Sequence, residues 1–519
     1  MITLGSHDLT LEEIYRILFQ KEEIELSKEA FERVEKCHNF LKSFSEDKVI
    51  YGINTGLGPM APYKIDKKDR KQLQLNAIRS HCSGCGEPLS EKFAKAAMLS
   101  RLNTQLRGYS GIHTEVVELL VKLINSNVSA LIPEHGGVGA SGDLVQLAHL
   151  ALMLIGEGEV WHNGVIRPTA EVFTELHLKP ISIHIREGLS LINGTSVMTG
   201  ISAINLMNAY NLMNWSIIAS SIINEIVGSF DDHFSHELNI VKRHKGQDKI
   251  AEYMRNVLAT STLIRKRQEH LYGREFKEDI IADKVQEYYS LRCVPQILGP
   301  VYDTITNTEQ IIISEFNSVN DNPIIDRENE NIFHGGNFHG DYVSLEMDKL
   351  KTVITRLSML AERQLNYLLN PRLNDLLPPF VNLGTLGLNF GMQGVQFTAT
   401  STVAENQTLS FPNYVHSISC NNDNQDIVSM GTNSALITKK VISNTYDVLA
   451  IEMITLLQAI DYLKYQDKLS DYTKEVYTKM RKVVPVFSED TTKSKDIKNM
   501  RKYMEKNRIR PDQKLPNLL

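Results

Sequence analysis

Residues Gly136 to Asp143 read Gly-Gly-Val-Gly-Ala-Ser-Gly-Asp, and the tripeptide Ala140-Ser141-Gly142 within them has a chemistry of its own. An unhindered glycine nitrogen can attack the carbonyl carbon two residues upstream. Ring closure with loss of water from the serine would leave an electrophile built from backbone. The surrounding glycines matter because closure requires backbone angles that side chains forbid. The same letters, Gly137-x-Gly139-x-x-Gly142, also match a dinucleotide-binding fingerprint, with Leu144 to Leu154 as the following helix and Glu159 near the ribose position. Pro133, Glu134 and His135 argue against it, since a buried parallel strand should stay apolar up to its turn. A plain structural turn is the third reading.

Other constellations are open to chemistry. Tyr51-Gly-Ile-Asn-Thr-Gly-Leu-Gly58 places a phenol at the head of a glycine-rich loop, where a phenolate could act as a base. The alternative is a tyrosine that packs a loop onto the core. Gln286-Glu-Tyr-Tyr-Ser-Leu-Arg292 offers an arginine whose fork suits a carboxylate, or an ordinary surface salt bridge. Asn421 to Asp426 is dense in amides and precedes a long helix; it reads either as caps and turns or as an amide-lined pocket. Cys82-x-x-Cys85 lacks a second pair and looks like a loop. Asp231-Asp-His-x-x-His-Glu237 could present ligands on one helical face, but without the spacing of a metalloprotease helix, so no metal is expected.

These groups must be positioned by long helices. Ile201 to Val227, Asp341 to Asn370 and Thr432 to Ser470 lack Gly and Pro, and some thirty helical residues span roughly 45 Å. Long helices side by side predict a bundle. Asn205, Asn208, Asn211 and Asn214 run a polar stripe along the first, which suits a packed helix and not a membrane span. The N-terminal third is helical but more broken: Thr10 to Glu13 is a capping box, and Phe31, Val34, Cys37, Phe40, Leu41 and Phe44 share one apolar face. Glu159 to Val165 reads as a hairpin around Asn163-Gly164. The expected organisation is mainly α: a loop-rich helical region over 1–200 carrying the glycine loop, a long-helix bundle over 201–480 and a charged tail over 481–519. In that tail Lys493 to Arg510 is basic, as a solvated terminal helix would be. A net charge of −6 over 519 residues points to neither nucleic acid nor membrane. Five cysteines predict no disulfide framework, and the N-terminus has no signal-peptide core, so a soluble cytoplasmic protein is expected.

Taken together, the motifs resemble the aromatic amino acid ammonia-lyases, comprising the histidine, phenylalanine and tyrosine enzymes and related aminomutases. The resemblance runs through Tyr51 to Gly58, Ala140 to Leu144, Asn193 to Ser196, Tyr289 to Arg292, Asn320 to Pro323, Gly335 to His339 and Asn424 to Asp426. Arg79-Ser80-His81 and Asn421 to Gly431 are most similar to bacterial tyrosine ammonia-lyases. The resemblance implies an ammonia-lyase/fumarase-like fold, a homotetramer with active sites shared between subunits, and a methylidene-imidazolone (MIO) group formed from Ala140, Ser141 and Gly142 with no external cofactor. It implies Tyr51 as the base for the β-proton and Arg292 as the carboxylate holder. Asn193 and Tyr289 would support substrate and prosthetic group, and Leu144 would pack on the aromatic ring. Gly58, Gln286, Phe338, Asn421 and Gln425 would line the surroundings. His81 would read a phenol, favouring elimination of ammonia from L-tyrosine to give trans-p-coumarate. Ser80-His81 also resembles histidine enzymes, but those carry Glu where Gln425 stands. Histidine, phenylalanine, an aminomutase and a non-enzymatic scaffold are the alternatives.

Overall fold

The computed structural model describes residues 1–46, 48–273, 275–277, 279–281 and 284–508. The chain is mainly α, and its longest helices are Ser196–Ile226, Asp341–Leu369 and Gly431–Leu463, joined by Val294–Phe316. The strands described are three or four residues long and form small two- or three-stranded sheets. The chain divides into two compact units. The first is Met1–Met207, Thr308–Asp348 and Pro412–Lys439; the second is Asn208–Asn307, Lys349–Phe411 and Lys440–Leu519.

In the first unit, Thr10 and Glu13 form the capping box that starts helix Leu11–Phe19. Helix Lys28–Phe44 buries Cys37 and Leu41 against Ile50, Ile53 and Ile325, with Phe40 and Phe44 half-buried beside them. Each such aliphatic side chain stabilises the fold by about 1.5–3 kcal/mol. Because Ile50 and Ile53 flank Tyr51, this packing anchors the loop that carries the phenol. Glu159–His162 and Val165–Pro168 pair antiparallel around Asn163 and Gly164, both at positive φ as the turn demands. Pro133–His135 pairs antiparallel with Cys85–Pro88. The glycine loop therefore follows one edge of a short ribbon, and Glu159 opens a hairpin; the dinucleotide reading, which needs a parallel strand ahead of the loop, is overturned.

Helix Ser196–Ile226 starts five residues before the Gly-free stretch does. Gly200 is inside it because a Cβ there would lie 2.5 Å from the Ala97 amide nitrogen, so close approach to helix Glu91–Leu106 requires glycine. Most of the asparagine stripe is buried, with Asn208 half-buried, and Asn205 Nδ2 donates to the Ala435 carbonyl at 2.8 Å.

In the second unit, Asn211 Nδ2 donates to Tyr446 Oη and to the Met504 carbonyl, each at 2.9 Å. The third long helix ends at Leu463, short of the expected Ser470, because Lys464 turns left-handed at φ 56. A separate helix, Asp471–Arg481, restarts with the Ser470 side chain as its cap. The tail helix Ser494–Lys506 is not wholly solvated: Met500 and Met504 are buried, and Arg501 pairs with Asp447 at 2.8 Å. Arg510 lies outside the described residues. Asp231–Phe234 is a 3-10 turn and His236–Ile240 a separate helix, so the Asp231 to Glu237 residues do not share one helical face. Among the described residues no group of three His, Cys, Asp or Glu side chains is arranged to hold a metal, and no helix is long and apolar enough to cross a membrane.

Candidate active site

The Ala140-Ser141-Gly142 loop is held by backbone and side-chain bonds from distant parts of the first unit. Gly142 sits at φ 70 beside Gly194, so close that a Cβ would lie 2.0 Å from the Gly194 carbonyl oxygen. Only glycine fits this position. The next amide, Asp143 N–H, donates to that same carbonyl at 2.8 Å. On the other side of the loop, the Gly139 carbonyl accepts from Gly340 N–H at 2.9 Å and from Ser429 Oγ at 3.0 Å. Ala140 is buried, while Ser141 faces a cavity. Gln425 Nε2 donates to Ser141 Oγ at 3.0 Å, and Asn193 Nδ2 donates to the Ser141 carbonyl at 3.2 Å. A buckled backbone with a glycine nitrogen, a small alanine and a tethered serine hydroxyl is the donor set that an MIO ring requires, so the residues present fit the group.

Asp143 ties this loop to two helix starts. Its Oδ2 accepts from Val197 and Met198 N–H at 2.9 Å each, at the N-terminus of helix Ser196–Ile226, and its Oδ1 accepts from Thr432 at the start of Gly431–Leu463. Full burial pushes the Asp143 carboxyl up to about 6, opposed by the bonds from Thr432, Met198 and Val197.

The cavity that Ser141 faces has a volume of about 910 Å³. Tyr51, Leu144, Asn193, Phe338 and Gln425 line it with Ser141, and so do Gly58, His81 and Asn421. Gly58 N–H donates to Tyr51 Oη at 2.9 Å, which turns the loop back on itself and fixes the phenol. Asn193 is oriented at both ends, because its Oδ1 accepts from Asn322 N–H at 2.8 Å. His81 ends helix Arg70–His81, and its Nδ1 lies 2.7 Å from the Ala77 carbonyl. A carbonyl only accepts, so Nδ1 carries the hydrogen and Nε2 of the neutral ring is left as an acceptor.

The amide-rich segment forms a turn that borders the cavity. Asn421, Asn422 and Asp423 are consecutive left-handed residues at φ 56, 52 and 58, a conformation that Asn and Asp tolerate better than other side chains. Cys420 and Gln425 close this turn through reciprocal backbone bonds of 3.2 and 3.3 Å, and the turn presents Asn421, Asn424 and Gln425 to the cavity. It does not cap the following helix, which begins at Gly431.

Gln286, Tyr289 and Arg292 belong to the second unit and are not among the residues lining this cavity within the chain. Arg292 bonds to Gln286 and lies over the Tyr289 ring at 4.8 Å, and Tyr289 is 70% exposed. Gln286 and Tyr289 line a separate hollow with Tyr367.

Sequence reasoning assigned no role to Asn322 or His334, both of which line the Ser141 cavity. Asn322 Oδ1 accepts from Gly335 N–H at 2.7 Å, joining two segments that were legible only as separate motifs. Burial and the nearby Arg186 charge hold the His334 imidazole below its ordinary range. Leu73 and Ala77 were missed too, although their spacing with Ser80 and His81 marks one face of a helix.

Residues 9–482 match the family model described as aromatic amino acid lyase. The histidine ammonia-lyase of Bacillus subtilis (strain 168) is 38% identical over 513 residues, covering 99% of this chain and 98% of the relative. The tyrosine 2,3-aminomutase of Myxococcus sp. (strain Mx-B0) is 38% identical over 496 residues, 94% of each chain. Among solved structures, the tyrosine aminomutase from Streptomyces globisporus superposes with a TM-score of 0.93 at 34% identity, over 97% of each chain. The chain belongs to the aromatic amino acid lyase family.

Proposed function

We propose that this chain eliminates ammonia from L-tyrosine to give trans-p-coumarate. The observation that carries the reading is the convergence of Tyr51, Ser141 and Asn193 on one cavity whose wall includes His81, with its Nδ1 bonded to the Ala77 carbonyl and its Nε2 left free to accept. The group formed from Ala140, Ser141 and Gly142 supplies an electrophilic carbon that makes the substrate nitrogen a competent leaving group. Tyr51 takes the β-proton. Asn193 holds the Ser141 carbonyl and steadies the polar end of the substrate, and Gln425 keeps the serine side chain in place. Leu144 and Phe338 exclude water around the ring. Holding carboxylate and ring at opposite ends fixes the β-carbon against the base, an orientation effect that can contribute several kcal/mol, about 7–11 at its upper range.

Tyrosine is favoured because a phenol O–H donates to His81 Nε2, whereas phenylalanine leaves that acceptor unsatisfied. Gln425 is neutral where the sequence reading expects a glutamate in histidine enzymes. The exposed Tyr289, with Gln286 and Arg292, completes the cavity of a neighbouring chain in a homotetramer, where Arg292 holds the substrate carboxylate. The protein acts in the cytoplasm. Histidine is the second reading, favoured by the Bacillus relative and by Ser80-His81; a tyrosine aminomutase, favoured by the Myxococcus relative, would use the same residues. A spectrophotometric assay with tyrosine, phenylalanine and histidine, read for p-coumarate, cinnamate and urocanate, tests the substrate. Chromatography for β-tyrosine separates lyase from aminomutase. Urocanate as the dominant product would overturn the tyrosine reading.

A further inference from the structure

Gln74 lies on the hidden face of helix Arg70–His81 and is fully buried. The same helix lines the cavity through Leu73, Ala77 and His81. Both ends of the Gln74 amide are bonded to backbone of other segments. Nε2 donates to the Gly52 carbonyl at 3.0 Å, and Oε1 accepts from Leu189 N–H at 3.0 Å. Gly52 follows Tyr51 directly, and Leu189 lies in the six-residue helix Glu187–Ile192, which runs into Asn193.

Close packing surrounds this bridge. A Cβ on Gly188 would lie 2.4 Å from the Gln74 carbonyl oxygen, and one on Gly52, at φ 72, would lie 2.4 Å from Leu189 Cδ2. The three segments therefore meet without space for a slip, and the Gln74 amide is the polar link between them. A buried amide with both ends paired holds geometry firmly, because each lost bond leaves a buried backbone group unsatisfied.

We propose that Gln74 is a positioning residue for proton abstraction: it fixes the backbone of the Tyr51 loop relative to the helix that carries Asn193, and so sets the distance from the phenol to the substrate β-carbon. The inference rests on the proposed role of Tyr51 as base. A misplacement of about 1 Å at a reacting centre can cost roughly 10²-fold in rate, so the effect belongs in kcat and not in KM.

The test uses the full-length protein and two variants. Gln74→Leu removes both bonds. Gln74→Glu keeps the volume and the acceptor for Leu189 N–H; once ionised it sets a carboxylate oxygen against the Gly52 carbonyl, whereas its protonated form could still donate there. Read at alkaline pH, where it is ionised, it probes the Tyr51 side and carries the test if Gln74→Leu does not fold. The wild type is assayed first on tyrosine, phenylalanine and histidine, and the amino acid it turns over is then used deuterated at the β-carbon. Failure on tyrosine alone would remove the substrate reading and leave the Gln74 test to run on the active amino acid. Each folded variant is expected to show the same dehydrated mass as the wild type. Its kcat should be lower by roughly 10- to 100-fold with KM little changed, and its deuterium isotope effect on kcat should stand at or above the wild-type value. Wild-type kcat in folded Gln74→Leu, or in Gln74→Glu with its carboxyl ionised, would overturn the proposal. So would a loss confined to KM, or a fall in kcat whose isotope effect drops towards unity.

Discussion

The side-chain amide of Gln425 reaches the Ser141 hydroxyl at 3.0 Å, although the two residues are 284 positions apart. The left-handed turn over Asn421–Asp423 brings it there, and that turn also faces the loop of Tyr51, since a Cβ on Gly58 would lie 3.0 Å from Asn421 Nδ2. One turn thus tethers Ser141 and borders the loop of Tyr51, the two residues given the central roles in the proposed function.

Ser141→Ala is expected to abolish turnover while leaving the fold intact. Activity and thermal denaturation measured on the same preparation check this, and substantial residual turnover would remove Ser141 from the chemistry.

Gly142→Ala should block maturation of the loop itself. A left-handed alanine costs roughly 1–2 kcal/mol, and its Cβ would collide with the Gly194 carbonyl oxygen. The variant is expected to melt below the wild type and to keep the full mass of its sequence. A dehydrated Gly142→Ala chain would show that the observed backbone is not the one that closes the ring.

His81→Phe is expected to shift preference from tyrosine towards phenylalanine, by roughly 10²-fold in the ratio of kcat/KM values. Kinetics on the two amino acids measure the shift. An unchanged ratio would mean that His81 Nε2 does not meet the phenol.

Glu452 gives a pH prediction. It is fully buried in the second unit, both its carboxylate oxygens lack a hydrogen-bond partner among the described residues, and burial raises its carboxyl well above the ordinary range. A folded-state pKa above the unfolded one contributes stability that is complete below the ordinary carboxylate range and is lost as pH rises through the raised value. Melting temperature should therefore fall with rising pH more steeply in the wild type than in Glu452→Gln. Parallel pH profiles would show that this carboxyl does not titrate differently on folding.

Helix positions were legible wherever the absence of Gly and Pro coincided with helix, as in Asp341–Leu369. The misplaced ends have local causes. Gly200 is helical because another backbone approaches it, and Lys464 terminates a helix without being Gly or Asn. Neither is visible without tertiary neighbours. At the site, Tyr51, Ser141, Asn193 and Gln425 stood out by residue type and motif. Gln74 did not, because an amide that bridges two backbones looks in sequence like any polar residue on a helix, and Asn322 was legible only as part of the Asn320 to Pro323 motif, without its role at the cavity. The three consecutive left-handed residues at 421–423 explain afterwards why that stretch is built from Asn and Asp.

Intact-mass spectrometry of the purified chain tests the self-made electrophile most directly. The mass should be lower than the sequence dictates by two water molecules, and restored to within one of them or fully in Ser141→Ala. A wild-type chain at its full, undehydrated mass would contradict the account.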